Sequence, residues 1–555
     1  MTHSTRIFFA TLFLALPYGA SALSRSELLP DASFQVSVSG TTNFWNALKT
    51  SPFGKLWVDP EFQNFAGHLD QDFFKKTFLQ GDTPNPEKEV FIEQVSKMTG
   101  EVALAFNEGQ QNPCIVAAIS QEDYAKVLEL DEHLSEILED NFDLVKSTFQ
   151  DIEIVKFVPL SGKREPYWQA WAQDTLLVGW SREWVEKNLV ALQKEKPEEP
   201  KGNPCLSLKI NLRQLLQSWS KKEDGDLSPE DPDSFQRISK VLGLSGIGVF
   251  SMNVEMREHQ MRVLSDLEVD DLNVGLFRLI DPTPSEIPQV PFLSADTSAL
   301  EVGRINLAGL WKAIPEILHS LDPTIEQQFD LVISSFEQQT GLNFTEQILE
   351  NLDTAYLSYS IEDEGVQKNL LGFELKDGQA FQQTIDSLMA NPTVQPQLEV
   401  VLETESFLDQ PIYLVKNLPP ESAVAFAVSG SYLFYGHPDA LRQAIRAINR
   451  DTPADKPFGA SKLAQGLQNF LSPKAFGFSG IDWKKNMRLL IQKIQSQKFA
   501  EDFKQGWNRG AGKKIPPPDF SKLPPADHMA SFFNRSYQQT QASPTGLHQE
   551  IVLEY

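Results

Sequence analysis

Short runs in which apolar and polar residues alternate recur along this chain, and most of them lead into a stretch with helical spacing. In LLPDASFQVSVSGTTNFWNAL, Phe34, Val36 and Val38 alternate with Gln35 and Ser37, the period-two pattern of a half-buried strand, and a helix follows. FLSADTSALEVGRINLAGLWKAI repeats that strand and helix far downstream. The two stretches belong to a longer internal correspondence. Trp45, Asn46, Ala47 and Leu48 line up with Trp311, Lys312, Ala313 and Ile314; TGEVALAFN matches LDTAYLSYS; CIVAAISQEDYAKVLELDEHL matches LLGFELKDGQAFQQTIDSLM. TLLVGWSREWVEKNLVAL then matches SYLFYGHPDALRQAIRAI, setting Leu177 against Leu433 and Leu189 against Ile445. The order of segments is the same in both halves, as a repeated architecture requires.

Each half closes with a smaller unit. PCLSLKINLRQLLQSWS, a helical stretch and GIGVFSMNVEMREHQMRVLSDLEV correspond to PKAFGFSGIDWKKNMRLLIQKIQ, a loop and MASFFNRSYQQTQASPTGLHQEIVLEY, each reading strand, helix, long hairpin. Pro282, Pro284, Pro288 and Pro291 mark a stiff, non-helical linker between the halves. These boundaries predict a first copy with a larger unit over 23–192 and a smaller one over 193–281. The linker then spans 282–291, and the second copy has units at 292–450 and 451–555. Hairpins place consecutive strands side by side, so the expected fold class is α+β, a tandem duplication of modules built from antiparallel sheets covered by helices.

Charge and the N-terminus change the picture from architecture to location. MTHSTRIFFATLFLALPYGASALSR has one basic residue at Arg6, an apolar core of about ten residues and the small triplet Ala20-Ser21-Ala22, which predicts a secretory signal peptide over 1–22. That core falls short of the roughly 20 residues needed to span a bilayer, so no transmembrane anchor is expected after cleavage. The expected location is periplasmic or extracellular. The chain carries 75 acidic against 49 basic residues, a formal charge of -26, and shows no basic stripe with interleaved aromatics, which excludes nucleic acid as an expected partner.

Candidate chemistry is sparse. No two of the eight histidines, at 3, 68, 133, 259, 319, 437, 528 and 548, share a helical turn, so a His-Glu-x-x-His zinc site is absent and no metal is expected. Gly243-Leu244-Ser245-Gly246 lacks the spacing of a nucleophile elbow, and Ser218-Trp219-Ser220-Lys221 lacks the partner motifs of a Ser-x-x-Lys hydrolase. GWNRGAGKK fails as a phosphate loop, because Lys514 stands where Ser or Thr is needed and prolines follow at once. Neither cofactor nor catalytic residues are expected. The acidic run KKEDGDLSPEDPDSF lacks EF-hand order and reads as a solvated loop.

Two groups remain as binding candidates. Tyr167 and Trp171 fall on one face of a strand with Trp168 on the other, a partial aromatic platform for sugars or peptides, weighed against plain strand packing. Arg509, Lys513 and Lys514 lie in residues 505–527, which read as a long loop able to meet an anionic envelope component.

The LPDAS opening, the alternating strand after it and FWNALKTSPFGKLWVDPEF resemble exported bacterial proteins of unknown function, over residues 28–192 and more loosely 290–450. The resemblance implies an exported bacterial protein and brings no catalytic residues. The expected function is a non-catalytic binding or structural protein of the bacterial envelope, with an unknown envelope or extracellular partner. A hydrolase acting on an envelope polymer, or a carrier of an apolar ligand, are the alternatives.

Export also bears on the only two cysteines, Cys114 and Cys205. Thiols are rarely left free in oxidising compartments, and the second half has neither cysteine at the matching strand starts near Leu370 and Ala475, as a bonded pair predicts. A disulfide would close a loop of about 90 residues and stabilise the first copy by roughly 4 kcal/mol. Two buried, unpaired thiols are the alternative, and Cα atoms more than about 7 Å apart would exclude the bond.

Overall fold

The computed structural model describes residues 28–38, 49–65, 101–107, 114–118, 142–160, 165–194, 206–219, 232–363 except 258, 366–394 except 393, 401–418, 423–449, 456–510 and 519–555. The expected signal peptide lies outside them, as does most of the acidic run. The chain forms two compact units. The first takes residues 1–218, 249–266 and 497–524; the second takes 219–248, 267–496 and 525–555. The two units therefore do not coincide with the two halves of the sequence: 219–248 joins the second unit and 497–524 joins the first.

The first unit carries β1 (Phe34–Val38), β2 (Val102–Phe106), β3 (Cys114–Ala118), β4 (Phe142–Phe149), β5 (Ile152–Pro159), β6 (Tyr167–Ala172), β7 (Thr175–Gly179), β8 (Leu206–Asn211), and most of β9 (Ile247–Arg257) and β10 (Gln260–Val269). They pair in the order β4-β5-β6-β7-β3-β2-β1-β8-β9-β10. Its helices are α1 (Pro52–Val58), α2 (Arg182–Lys194) and α3 (Leu212–Trp219). Val185, Leu189 and Leu192, at helical spacing on α2, are buried against Ala103, Ala105, Val116 and Leu177. Strand β2 is buried on both faces from Val102 to Ala105. Small alanines turned to α2 and larger Val102 and Leu104 turned away both suit enclosure.

The second unit begins with α4 (Pro232–Val241), which packs against α5 (Leu307–Leu321). Its strands are β11 (Thr297–Arg304), β12 (Leu352–Asp363), β13 (Val366–Leu375), β14 (Leu402–Phe407), β15 (Gln410–Val415), β16 (Ala425–Ser429), β17 (Tyr432–Gly436), β18 (Ala475–Asp482), β19 (Arg535–Ser543) and β20 (Gly546–Glu554). The pairing order, β14-β15-β16-β17-β13-β12-β11-β18-β19-β20, reproduces that of the first unit strand for strand. The fold is α+β with antiparallel sheets. The remaining helices of this unit are α6 (Pro323–Thr340), α7 (Gly378–Ala390), α8 (Pro438–Asn449), α9 (Lys462–Phe470), α10 (Trp483–Gln495) and α12 (Ala526–Ala530), while α11 (Gln497–Gly510) belongs to the first unit. Ala440, Leu441, Ala444 and Ile445 on α8, with Leu463, Ala464 and Leu467 on α9, cover Leu300, Val302, Leu357, Leu370 and Phe434. Phe434 is fully buried, and such enclosure of a Phe is worth about 1.5–3 kcal/mol.

Turn and cap chemistry explain where elements stop. Gln150-Asp151, Gln173-Asp174 and Leu408-Asp409 all have positive φ and form the two-residue connections of β4–β5, β6–β7 and β14–β15, a left-handed backbone conformation that gives the turn the right-handed twist of paired strands. Asp322 ends α5 and caps α6, accepting a hydrogen bond from the Thr324 N–H at 2.7 Å, with Pro323 in the first turn.

One expectation, the long loop over 505–527, is corrected, and the Pro-rich stretch gains anchors. The Pro-rich 282–291 is non-helical and is tied to the fold: Ser285 donates through its N–H to the Ala475 carbonyl and through Oγ to the Phe476 carbonyl, each at 2.8 Å, and Ile287 and Val290 pack on the core. Its prolines suit an extended strap, which apolar residues between them anchor. Residues 505–510 are not loop but the end of α11, where Phe499 and Phe503 stack one helical turn apart and close on Phe520 at 5.5 and 5.0 Å. α12 likewise begins at Ala526.

Candidate functional site

The sequence-derived candidates do not converge. Tyr167 stacks on Phe157 with ring centroids 4.6 Å apart and meets Phe142 edge-on, while Trp171 packs with Val102, Ala117, Ile115 and Leu176. Trp168 faces the α2-covered core instead, with Lys156 Nζ 5.3 Å from its ring centroid, so the strand alternation places the rings as expected and packing occupies them. Arg509 lies in α11; Lys513 and Lys514 lie outside the described residues.

Cys114 is a free, buried thiol, and burial pushes it up to about 12 despite a hydrogen bond from the Trp180 backbone. Cys205 lies outside the described residues, but its neighbour Leu206 pairs with Val38 on β1, while Cys114 pairs with Ala105 on β2. β3 and β8 are three strand spacings apart, roughly 14 Å. The pairing expected of Cys114 with Cys205 thus falls outside the described residues.

The site that does form was not signalled by any motif. In the second unit, a groove of about 370 Å³ lies on the sheet face opposite α8 and α9. Strand register builds it in two rows. Gln538, Ser479, Glu301 and Ser358 are successive cross-strand partners on β19, β18, β11 and β12. One step along, Thr540 faces Gly477, and Gly303 faces Tyr356. Their sequence neighbours Leu300, Val302, Leu357 and Phe478 point the other way into the core. Gly477 leaves the hollow open: a Cβ built on it would sit 3.9 Å from the Gly303 Cα and touch nothing closer than the Val302 carbonyl at 3.7 Å. Leu279, Ile280, Ile305 and Phe476 provide apolar lining.

Gly303 also fixes Tyr356. A Cβ on Gly303 would come within 2.7 Å of the tyrosine ring, so only glycine lets the ring lie over β11. In that position the Tyr356 hydroxyl donates to Glu301 Oε1 at 2.8 Å. Burial first, and then the Glu301 hydrogen bond and charge, raise the Tyr356 hydroxyl above its ordinary range, so it stays a donor. Arg304 borders the groove but its guanidinium is engaged elsewhere, with Nε 2.9 Å from Asp281 Oδ2 and an Nη 3.6 Å from Asp353. Burial of Asp281 raises its carboxyl, yet hydrogen bonds from Thr283, Thr354 and Arg304 together outweigh it and hold the group well below the usual range.

The lining contains one carboxylate, Glu301, and no histidine, cysteine or lysine. Among the described residues no cluster of His, Cys, Asp and Glu is placed to hold a metal ion, and no helix is long and apolar enough to cross a membrane. The arrangement can bind a ligand through hydrogen bonds and one negative charge. The advance signal was small residues on the groove face, Gly303 in EVGRI and Gly477 with Ser479 in AFGFSG, a mark of close backbone approach in strands.

Fold and site together define an α+β protein of antiparallel sheets with a ligand-sized groove on an open face. Comparison with protein-family models and with curated proteins finds no match. Among solved structures, crystal forms IV and I of TP0453 are similar at 10% and 9% identity, with TM-scores of 0.23 and 0.21. They match 45% and 46% of this chain and 81% and 80% of theirs. A likeness at that level carries no argument about fold or function.

Proposed function

We propose that the protein is an exported, non-catalytic binding protein of the bacterial envelope, arisen by tandem duplication, and that the groove over Gly303 and Gly477 is its ligand site. One observation carries this reading: polar side chains line a hollow over two strand glycines, at the low end of the usual ligand-pocket volume. The matched strand order of the two units supports the duplication. A hydrolase on an envelope polymer would call for paired acid and base groups, whereas this groove offers Glu301 alone.

Filling the groove tests the reading. Gly477→Leu places a side chain in the hollow, its Cβ in ordinary van der Waals contact with its surroundings. Immobilised full-length protein, exposed to envelope extract, should retain components identified by mass spectrometry that the variant, folded by circular dichroism, does not. Equal retention by both proteins, or turnover of an envelope polymer by the native chain, would overturn it.

A further inference from the structure

We propose that the groove selects ligands carrying an alkylammonium or guanidinium group, with Glu301 as the receiving charge; this rests on the groove being the ligand site. Glu301 makes no ion pair among the described residues, although it stands in mid-sheet. The bordering cation, Arg304, is neutralised by Asp281 and Asp353, so it neither cancels Glu301 nor repels an incoming cation. The Tyr356 hydroxyl occupies Glu301 Oε1 only and fixes the carboxylate over the glycine floor, leaving Oε2 for a ligand donor.

The surroundings suit a slender cation on a polar chain. Ser479 and Ser358 flank Glu301 with neutral hydroxyls, and Gly303 and Gly477 let a ligand lie against the strands. An anionic group would meet Glu301 unshielded. A purely apolar ligand would bury that carboxylate without a partner, which is costly. The chain's formal charge of -26 favours arrival of cations over anions.

The test uses the full-length protein and fluorescein-labelled pentapeptides Ala-Ala-Xaa-Ala-Ala amide, in which Xaa is lysine, norleucine or glutamate, read by fluorescence polarisation. The lysine peptide should bind roughly fivefold tighter than its norleucine isostere at low salt, the preference falling as salt rises. Glu301→Gln should reduce that ratio to about one, and Gly477→Leu should weaken both peptides. Equal lysine and norleucine affinities that are both lost in Gly477→Leu would overturn cation selectivity and leave the groove reading standing. Binding that survives Gly477→Leu unchanged would overturn both. No lysine-peptide binding up to millimolar concentration would overturn the selectivity, with the extract comparison still deciding on the groove.

Discussion

Replacing Gly303 by alanine separates the geometry of the groove from its chemistry. The new methyl would fall 2.7 Å from Tyr356 Cε1 and 2.8 Å from its hydroxyl oxygen, so the ring must swing off β11 and release Glu301. Losing that hydrogen bond costs about 1 kcal/mol, and crowding at a hinged ring adds about 1–2 kcal/mol at the low end of overpacking costs. Alanine returns about 0.5 kcal/mol by restricting the unfolded chain. The net expectation is a destabilisation of about 2 kcal/mol, or roughly 5 °C in Tm for a unit of this size. Urea titration followed by circular dichroism would measure it in four proteins: native, Gly303→Ala, Tyr356→Ala and the double variant. In the Tyr356→Ala background the methyl has no ring to strike, so the substitution should become neutral or slightly stabilising, a coupling of about 2 kcal/mol. An equal cost of Gly303→Ala with and without the ring would refute the packing argument.

Other consequences follow from the same contacts. Burial first, then the Asp353 charge, raises the Glu374 carboxyl while Arg304 lowers it, so the folded state favours protonation and this group's stabilising contribution, present at low pH, is lost as pH rises. Glu374→Gln should therefore raise Tm at pH 7 and change it little at pH 4, which a pH series of thermal melts checks. Cys114, pushed up to about 12, should resist iodoacetamide at pH 8 in the native protein and react once denaturant opens the sheet; modification at native rates would contradict its enclosure. Leu408-Asp409 occupies a turn with φ of 53 and 61, and replacing it by Asn-Gly should stabilise the β14–β15 hairpin by about 1 kcal/mol in urea titrations.

What the sequence by itself determined was local and periodic. The alternation in Thr297–Arg304 and the spacing of Leu441 and Ile445 in α8 set strand and helix because side-chain direction follows backbone period, and the correspondence of segments foretold a matched strand order. Which faces meet was not local. Val102 to Ala105 is small or apolar at every position, so no period marked the face that α2 would cover. α11 was missed because glycines and an Arg at its end look like loop until Phe499 and Phe503 find Phe520. The groove needed tertiary structure most of all. Gly303 and Gly477 stand far apart in the chain, and only the antiparallel register of β11 with β18 brings two missing side chains together, beside a tyrosine from β12 that one of them frees to hold Glu301.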